Sequence, residues 1–179
     1  MTDRLHFTGN DEADRLLVDD AFALLVGFAL DQQVPVQKAF MGPYVLRERL
    51  GTLDVSAVAS ADLDPIFRER PAIHRFPGAM ATRVHELAQH VLERYDGDAA
   101  RVWKDASTTE ELRANLAGLP GFGDMKIKSL SAVLAKQFGV KAAEGLAPDH
   151  PTLGDVTSRD ELTRYQEWKR AYKKAAKGA

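Results

Sequence analysis

Two helical patterns near the middle of the sequence are joined by a very short connection, and this connection constrains the fold more than any other feature. Before it, apolar residues recur at helical spacing at Leu112, Leu116 and Leu119. After it, a second apolar stripe runs from Ile127 to Phe138. Only residues 120–124 separate the two patterns, and they include a proline and two glycines. The sequence therefore predicts a helix-turn-helix elbow at this point.

The elbow has the residue types of a phosphate site. Pro120 sets the start of the turn, and we expect Gly121 and Gly123 to supply unusual backbone angles. A glycine before the second helix leaves the amide groups at its amino terminus bare, and these groups and the helix dipole attract a phosphate oxygen. Lys126 and Lys128 would add positive charge. An ordinary helix connection in a bundle uses the same residue types, so the phosphate site is a hypothesis.

Helical patterns also dominate the rest of the chain, and signals for strands are nearly absent. The first pattern runs from Asn10 or Asp11 to Phe28 and is apolar nearly all round in its second half, which predicts a buried central helix. A capping box, Ser158-x-x-Glu161, opens the last helix, and a loop is expected over 139–155. The fold class predicted is all-α, with further helical segments at 36–50, 55–59, 63–68, 79–95 and around Trp103.

Composition limits the class of protein. The chain has 179 residues, 45% of them hydrophobic and 28% charged, as expected for one globular domain over 1–179, either undivided or built as a compact pair of helical lobes. No apolar run approaches the ~20 residues of a membrane span, and the amino terminus does not resemble a signal peptide. Without cysteine there is no disulfide, thiolate nucleophile or iron–sulfur cluster. We expect a cytoplasmic monomer that does not bind membranes.

Charge is distributed unevenly along the chain. The formal net charge of −2 argues against a protein that coats nucleic acid, so any binding to nucleic acid must be local. The end of the chain, 165–179, is basic. We interpret it first as a solvated helix end, with contact to phosphate as the alternative.

A second motif adds to the elbow. The segment Asp31-Gln32-Gln33-Val34-Pro35-Val36-Gln37-Lys38-Ala39 resembles the glutamine-containing segment of the helix-hairpin-helix DNA glycosylases, the HhH-GPD superfamily of base excision repair. Together with Leu119-Pro120-Gly121-Phe122-Gly123, in the same order, it extends the resemblance over about residues 15 to 156. The chain is most similar to the branch of 3-methyladenine glycosylases, which lacks a cluster, because the endonuclease III branch has four cysteines.

The resemblance implies a DNA repair hydrolase. A damaged base is swung out of the duplex and its N-glycosidic bond is cleaved. Residues 107–138 would be the helix-hairpin-helix, which grips the DNA backbone through amides around Gly121 and Gly123. Gln32 and Gln33 would lie near the gap left in the duplex. Read without the resemblance, these two glutamines mark the end of a helix before Pro35.

A metal ion is also implied by the resemblance. In the family, backbone carbonyls of the hairpin often hold a monovalent cation, Na⁺ or K⁺. By position, these carbonyls would belong to Ala117, Leu119 and Phe122. The sequence predicts no other cofactor.

Cleavage of the glycosidic bond requires a carboxylate that stabilises a cation-like sugar and activates water. In the family this aspartate lies past the hairpin, and Asp149 in Pro148-Asp149-His150-Pro151 is the best counterpart, with Asp155 second. Asp149 also fits a plain turn residue. Met125 stands where bifunctional members have a nucleophilic lysine, and Lys126 is rotated about 100° from it. The expected enzyme is therefore monofunctional.

Two other functions stay open. The chain could be a non-catalytic helix-hairpin-helix protein that binds DNA, which the low net charge and Met125 favour. It could also be a helical protein unconnected with nucleic acid. We expect its aromatic residues, including Phe40, Phe76 and Trp168, to belong to the core rather than to a base pocket. The identity of the base is not predicted.

Overall fold

The fold is helical throughout, as the sequence predicts. A computed structural model describes residues 2–178, and within that range no residue lies in a β-strand. Two 3-10 helices span Lys141–Leu146 and Leu153–Asp155. The α-helices are α1 Asp11–Asp19, α2 Ala21–Leu30, α3 Val36–Leu50, α4 Val55–Ser60, α5 Leu63–Arg68, α6 Pro77–Tyr95, α7 Arg101–Lys104, α8 Thr109–Ala117, α9 Asp124–Phe138 and α10 Arg159–Gly178.

The first predicted helix is two helices. Asp20 leaves the helical conformation, with φ −126° and ψ 108°, and separates α1 from α2. Its carboxylate accepts the backbone N–H groups of Phe22 at 2.9 Å and Ala23 at 3.3 Å, which caps the amino terminus of α2. The continuous apolar pattern conceals this break because both helices bury residues on either side of it.

Helix α2 is the centre of the core. Every residue of α2 except Ala21 is buried, and the helix packs against α1, α3 and α6. Phe40 of α3 lies against it, with ring centroids 5.0 Å from Phe28 and 4.9 Å from Phe7. The ring of Phe40 rests directly on Gly27, where a larger residue would collide with it. The predicted buried central helix is thus confirmed for its second half.

The predicted loop over 139–155 contains the two 3-10 helices, and both pack against α9. The buried amide of Gln137 on α9 donates to the carbonyl of Gly154 at 2.8 Å. Gly154 itself lies against the backbone of Ala132. This close packing holds the segment after α9 against that helix.

The predicted helix start at Ser158 is confirmed, and a cap of the same kind opens α8 at Thr108. The hydroxyl of Thr108 accepts the Glu111 N–H at 3.1 Å, and the Glu111 carboxylate accepts the N–H of Ser107 at 2.6 Å. In α10 the Ser158 hydroxyl likewise accepts from the N–H of Glu161, at 3.1 Å. Across residues 2–178, none of the helices has the length and hydropathy to cross a bilayer.

Candidate nucleic-acid interface

The turn between α8 and α9 needs a glycine at one position. Helix α8 ends at Ala117, so Leu119 belongs to the turn rather than to the helix. Gly121 has φ +78°, a backbone angle that favours glycine, as predicted. The prediction for Gly123 is wrong, because its φ of −92° and ψ of −176° are ordinary extended angles.

The amino terminus of α9 is bare. Gly123 is its N-cap residue and no side chain caps the helix, as the sequence predicts. Arg83 of α6 lies directly over Gly121, where any side chain would collide with its guanidinium. Free amides and a neighbouring guanidinium are both suited to binding an anion. Met125 is 76% exposed on the first turn of α9.

Lys126 joins the elbow to the glutamine segment. Its Nζ donates to the carbonyl of Ala29 at 3.0 Å and to Oε1 of Gln32 at 3.2 Å. The lysine and the glutamine are 94 positions apart in the sequence. Burial lowers the pKa of Lys126, the charge of Arg83 lowers it further, and Asp31 opposes both. The two hydrogen bonds use two of the three N–H donors of Lys126 within the protein.

The glutamine segment begins where α2 ends. Gln32 is half-buried, and its Nε2 lies 3.5 Å from the sulfur of Met80. Gln33 is exposed and has φ +57°, in the left-handed region that few residues other than glycine adopt. Lys128 is exposed on α9. The structure thus brings Gln32 and Lys126 together, while Gln33 and Lys128 face solvent.

His74 fixes the end of α2. Its side chain is 1% exposed, and Nε2 lies 3.0 Å from the carbonyl of Leu30 and 3.1 Å from that of Gln32. Nδ1 accepts the N–H of Phe76 at 3.0 Å. Because Nδ1 accepts a hydrogen bond, the proton must be on Nε2, and the imidazole is neutral. Burial lowers the pKa of His74, although its bonds to the Leu30 and Gln32 carbonyls oppose this.

This arrangement predicts a loss of stability in mild acid. The pKa of His74 is lower in the folded than in the unfolded state, so His74 stabilises the fold above about pH 6.5 and this contribution is lost as the pH falls below that value. We expect His74→Gln, which keeps a donor near the two carbonyls but does not titrate, to show a smaller decrease in the free energy of unfolding between pH 7 and pH 5 than the wild type. Urea unfolding at several pH values would measure the free energy of unfolding of both proteins. Equal decreases in both proteins would contradict the role of His74.

Asp31 is the charged residue that sequence reasoning missed. It follows the last residue of α2, and its side chain is half-buried. Within residues 2–178 its carboxylate has neither a hydrogen bond nor an ion pair. Burial raises the pKa of Asp31, against the charges of Lys169, Lys126 and Lys173. A carboxylate placed at the end of an entirely apolar helix was the available signal.

Helix α10 carries a row of aromatic side chains. Trp168 stacks on Tyr172, at a centroid distance of 5.2 Å, and on His150, at 5.6 Å. Tyr165 continues the row at 6.3 Å from Trp168. Burial and the nearby Asp31 raise the pKa of Tyr165 to about 12. The assignment of Trp168 to the core is wrong, because it is half-buried in a surface row whose outer member, Tyr172, is 59% exposed.

The two aspartates proposed for catalysis have different surroundings. Asp149 is exposed, and no hydrogen bond or ion pair joins it to another residue in the range 2–178. Asp155 accepts from Lys136 Nζ at 2.7 Å and from the Thr152 N–H at 2.9 Å. Burial raises the pKa of Asp155, but these bonds outweigh burial, so its pKa is lowered. Asp155 therefore caps a 3-10 helix.

The cation site predicted from the resemblance consists of three backbone carbonyls in and before the turn. The Leu119 carbonyl accepts the N–H of Phe122 at 3.2 Å, so one of its lone pairs is already used. Among the side chains of residues 2–178 there is no group of three His, Asp or Glu that could hold a metal. A cavity of about 730 Å³ is lined by none of the predicted site residues. A monovalent cation at Ala117, Leu119 and Phe122 stays a prediction.

Comparisons with known proteins add no constraint. A scan against family models and searches of curated proteins and of solved structures found no match to this chain. The assignment of a function therefore depends on the sequence motifs and on the geometry of the described residues.

Proposed function

We propose that this protein binds DNA through a helix-hairpin-helix formed by α8, the turn and α9, and that it is a monofunctional DNA glycosylase of base excision repair. The observation that carries the proposal is the contact between Lys126 of the elbow and Gln32 of the glutamine segment. These segments bear the two motifs of the resemblance, and nothing in their sequence separation requires them to meet. Their contact supports a shared site for the DNA backbone and a base removed from the stack.

The elbow supplies the contact to phosphate in this proposal. In it, the bare N–H groups at the start of α9 donate hydrogen bonds to a phosphate oxygen, and Arg83 and Lys128 add positive charge beside them. Gln32, which is bonded to Lys126, and the exposed Gln33 next to it would provide amide groups for the opened duplex. The helices before and after the elbow would form the two lobes on either side of the extruded base.

Hydrolysis rather than strand cleavage fits the residues of α9. A lyase needs a free amine directed at the sugar, but Met125 occupies that position and Lys126 is bonded to Ala29 and Gln32. In this mechanism a carboxylate orients and deprotonates the water. Asp149, next to the aromatic row of α10, is the counterpart by sequence.

Base release is the direct test. The protein is incubated with duplexes that each carry one defined lesion, such as uracil, an oxidised purine or an alkylated purine, and is then heated in alkali to cleave at abasic sites. We expect release from at least one lesion and none from the undamaged duplex, with no strand cleavage before alkali. Cleavage before alkali would contradict the monofunctional assignment.

Binding to the same duplexes provides a second measurement. We expect log Kd to change with log salt by about 0.9 per phosphate contact, with a few contacts in total. Lys128→Gln should reduce this slope by about one contact, whereas the exposed Lys141→Gln, on a 3-10 helix outside the elbow, should leave it unchanged. Equal slopes in all three proteins would remove Lys128 from the interface.

A non-catalytic DNA-binding protein is the second candidate. The observation in its favour is the exposure of Asp149, which has no partner to orient its carboxylate in the described part of the chain. Salt-dependent binding without release from any lesion would establish this candidate. Absence of both would point to a helical protein unconnected with nucleic acid.

A further inference from the structure

Asp31 lies where three parts of the structure meet. It is the residue after α2, Lys126 of α9 bonds the neighbouring Gln32, and Tyr165 of α10 lies close enough for the two side chains to interact. A half-buried carboxylate is partly removed from water, and this is costly unless another group replaces the water that is lost. The side chain of Asp31 nevertheless accepts no hydrogen bond from any residue in the range 2–178.

The charges around Asp31 compensate it from a distance. Lys126 approaches from α9, and Lys169 and Lys173 approach from α10, but none is within 4.0 Å to form an ion pair in the described structure. His74, which also borders this end of α2, is neutral. The carboxylate oxygens are therefore held near positive charge while their own hydrogen-bonding positions stay open. Water or a ligand atom can occupy those positions.

We propose that Asp31, rather than Asp149, is the catalytic carboxylate of this protein. The inference rests on the proposed glycosylase function. Asp31 is adjacent to Gln32, which is bonded to the elbow, so a nucleotide whose phosphate is held by the elbow would bring its sugar toward Asp31. Asp149 lacks any such connection to the elbow among the described residues and is exposed to solvent.

In this proposal, Asp31 assists the hydrolysis of the N-glycosidic bond by water. The bond between C1′ and the base nitrogen breaks, and its electron pair leaves with the base, which takes a proton from solvent unless it is already positively charged. Positive charge develops on the sugar and is stabilised by the Asp31 carboxylate. The water oxygen bonds to C1′, and the Asp31 carboxylate accepts the proton that this water loses. The lysines on α10 are available for the flanking phosphates.

The test compares Asp31→Asn with Asp149→Asn and the wild type. Single-turnover base release is measured on the lesion duplex that the wild type cleaves, from pH 4 to pH 8. We expect Asp31→Asn to release base at least about 100-fold more slowly, as for loss of a general base. Asp149→Asn, which removes the alternative carboxylate, should slow release far less than Asp31→Asn does. The wild-type rate should rise with pH and then level off, as Asp31 loses its proton, and the residual rate of Asp31→Asn should not follow this profile.

Two further measurements separate a chemical role from a structural one. Binding to a duplex with a tetrahydrofuran abasic analogue should change less than threefold in Asp31→Asn. The thermal midpoint of this variant should be equal to or above that of the wild type, since a half-buried carboxylate without hydrogen bonds is removed. A wild-type release rate in Asp31→Asn, with loss in Asp149→Asn, would overturn this inference and leave the proposed function intact. A wild type that releases no base would overturn both.

Discussion

Replacing Phe40 with alanine is expected to lower the free energy of unfolding by about 3–5 kcal/mol. The ring is 0% exposed and makes edge contacts with Phe7 and Phe28. It also fills the space over Gly27 in the centre of α2. Truncation removes the apolar contacts with α2 and with the segment of Phe7, and it leaves a cavity that rigid helices cannot close. Since a domain has about 5–15 kcal/mol in total, the variant would be only marginally stable.

Urea unfolding followed by circular dichroism would measure this change. The matched control is Phe76→Ala, because Phe76 is 40% exposed and lies before α6 at the surface. We expect its loss to be below about 1 kcal/mol. Similar losses in both variants would show that Phe40 does not have the central position described here.

Gly154→Ala is expected to lower the free energy of unfolding by about 1–3 kcal/mol through overpacking. The added Cβ would lie 2.5 Å from the carbonyl oxygen of Ala132 and 2.7 Å from its carbonyl carbon. Both atoms belong to the backbone of α9, so no side-chain rotation can relieve the contact. The 3-10 helix would have to move away from α9, which would also strain the bond from Gln137 to the Gly154 carbonyl.

Thermal and urea unfolding would test this prediction against Gly178→Ala. Gly178 lies at the end of α10, and a Cβ there would contact nothing within 4 Å. The control should therefore match the wild type within about 0.5 kcal/mol. Equal stability of Gly154→Ala and the wild type would mean that α9 and the 3-10 helix can separate without cost.

Helices with local signals at their ends were predictable from the sequence. The range 36–50 agrees with α3, because Pro35 precedes it and Gly51, with φ +90°, ends it. The break at Asp20 was missed although aspartate is a strong N-cap residue, since an apolar pattern on both sides outweighed a single cap. The 3-10 helices were missed because short helices depend on packing against α9 more than on their own sequence.

The candidate site was less predictable because its contacts join distant segments. The bare start of α9 follows from Gly123, a local feature. The direction of the Lys126 side chain does not follow from the local sequence, because its partner Ala29 lies in α2 and its partner Gln32 lies just after α2. The local sequence indicates only that Asp31 ends a helix. The three-dimensional arrangement shows in addition that no described residue donates a hydrogen bond to its carboxylate. The stack of Trp168 with His150 likewise joins segments that periodicity does not relate.

The hydrogen bonds of Lys126 also fix the distance between the start of α9 and the end of α2. They tie the first turn of α9 to the last turn of α2, and His74 holds the same end of α2 from the other side. Under the proposed function, an anion bound at the elbow would therefore be held at a fixed distance from residues 31–33. A change in the spacing between the elbow and α2 would then alter which atom of a bound DNA strand reaches Asp31.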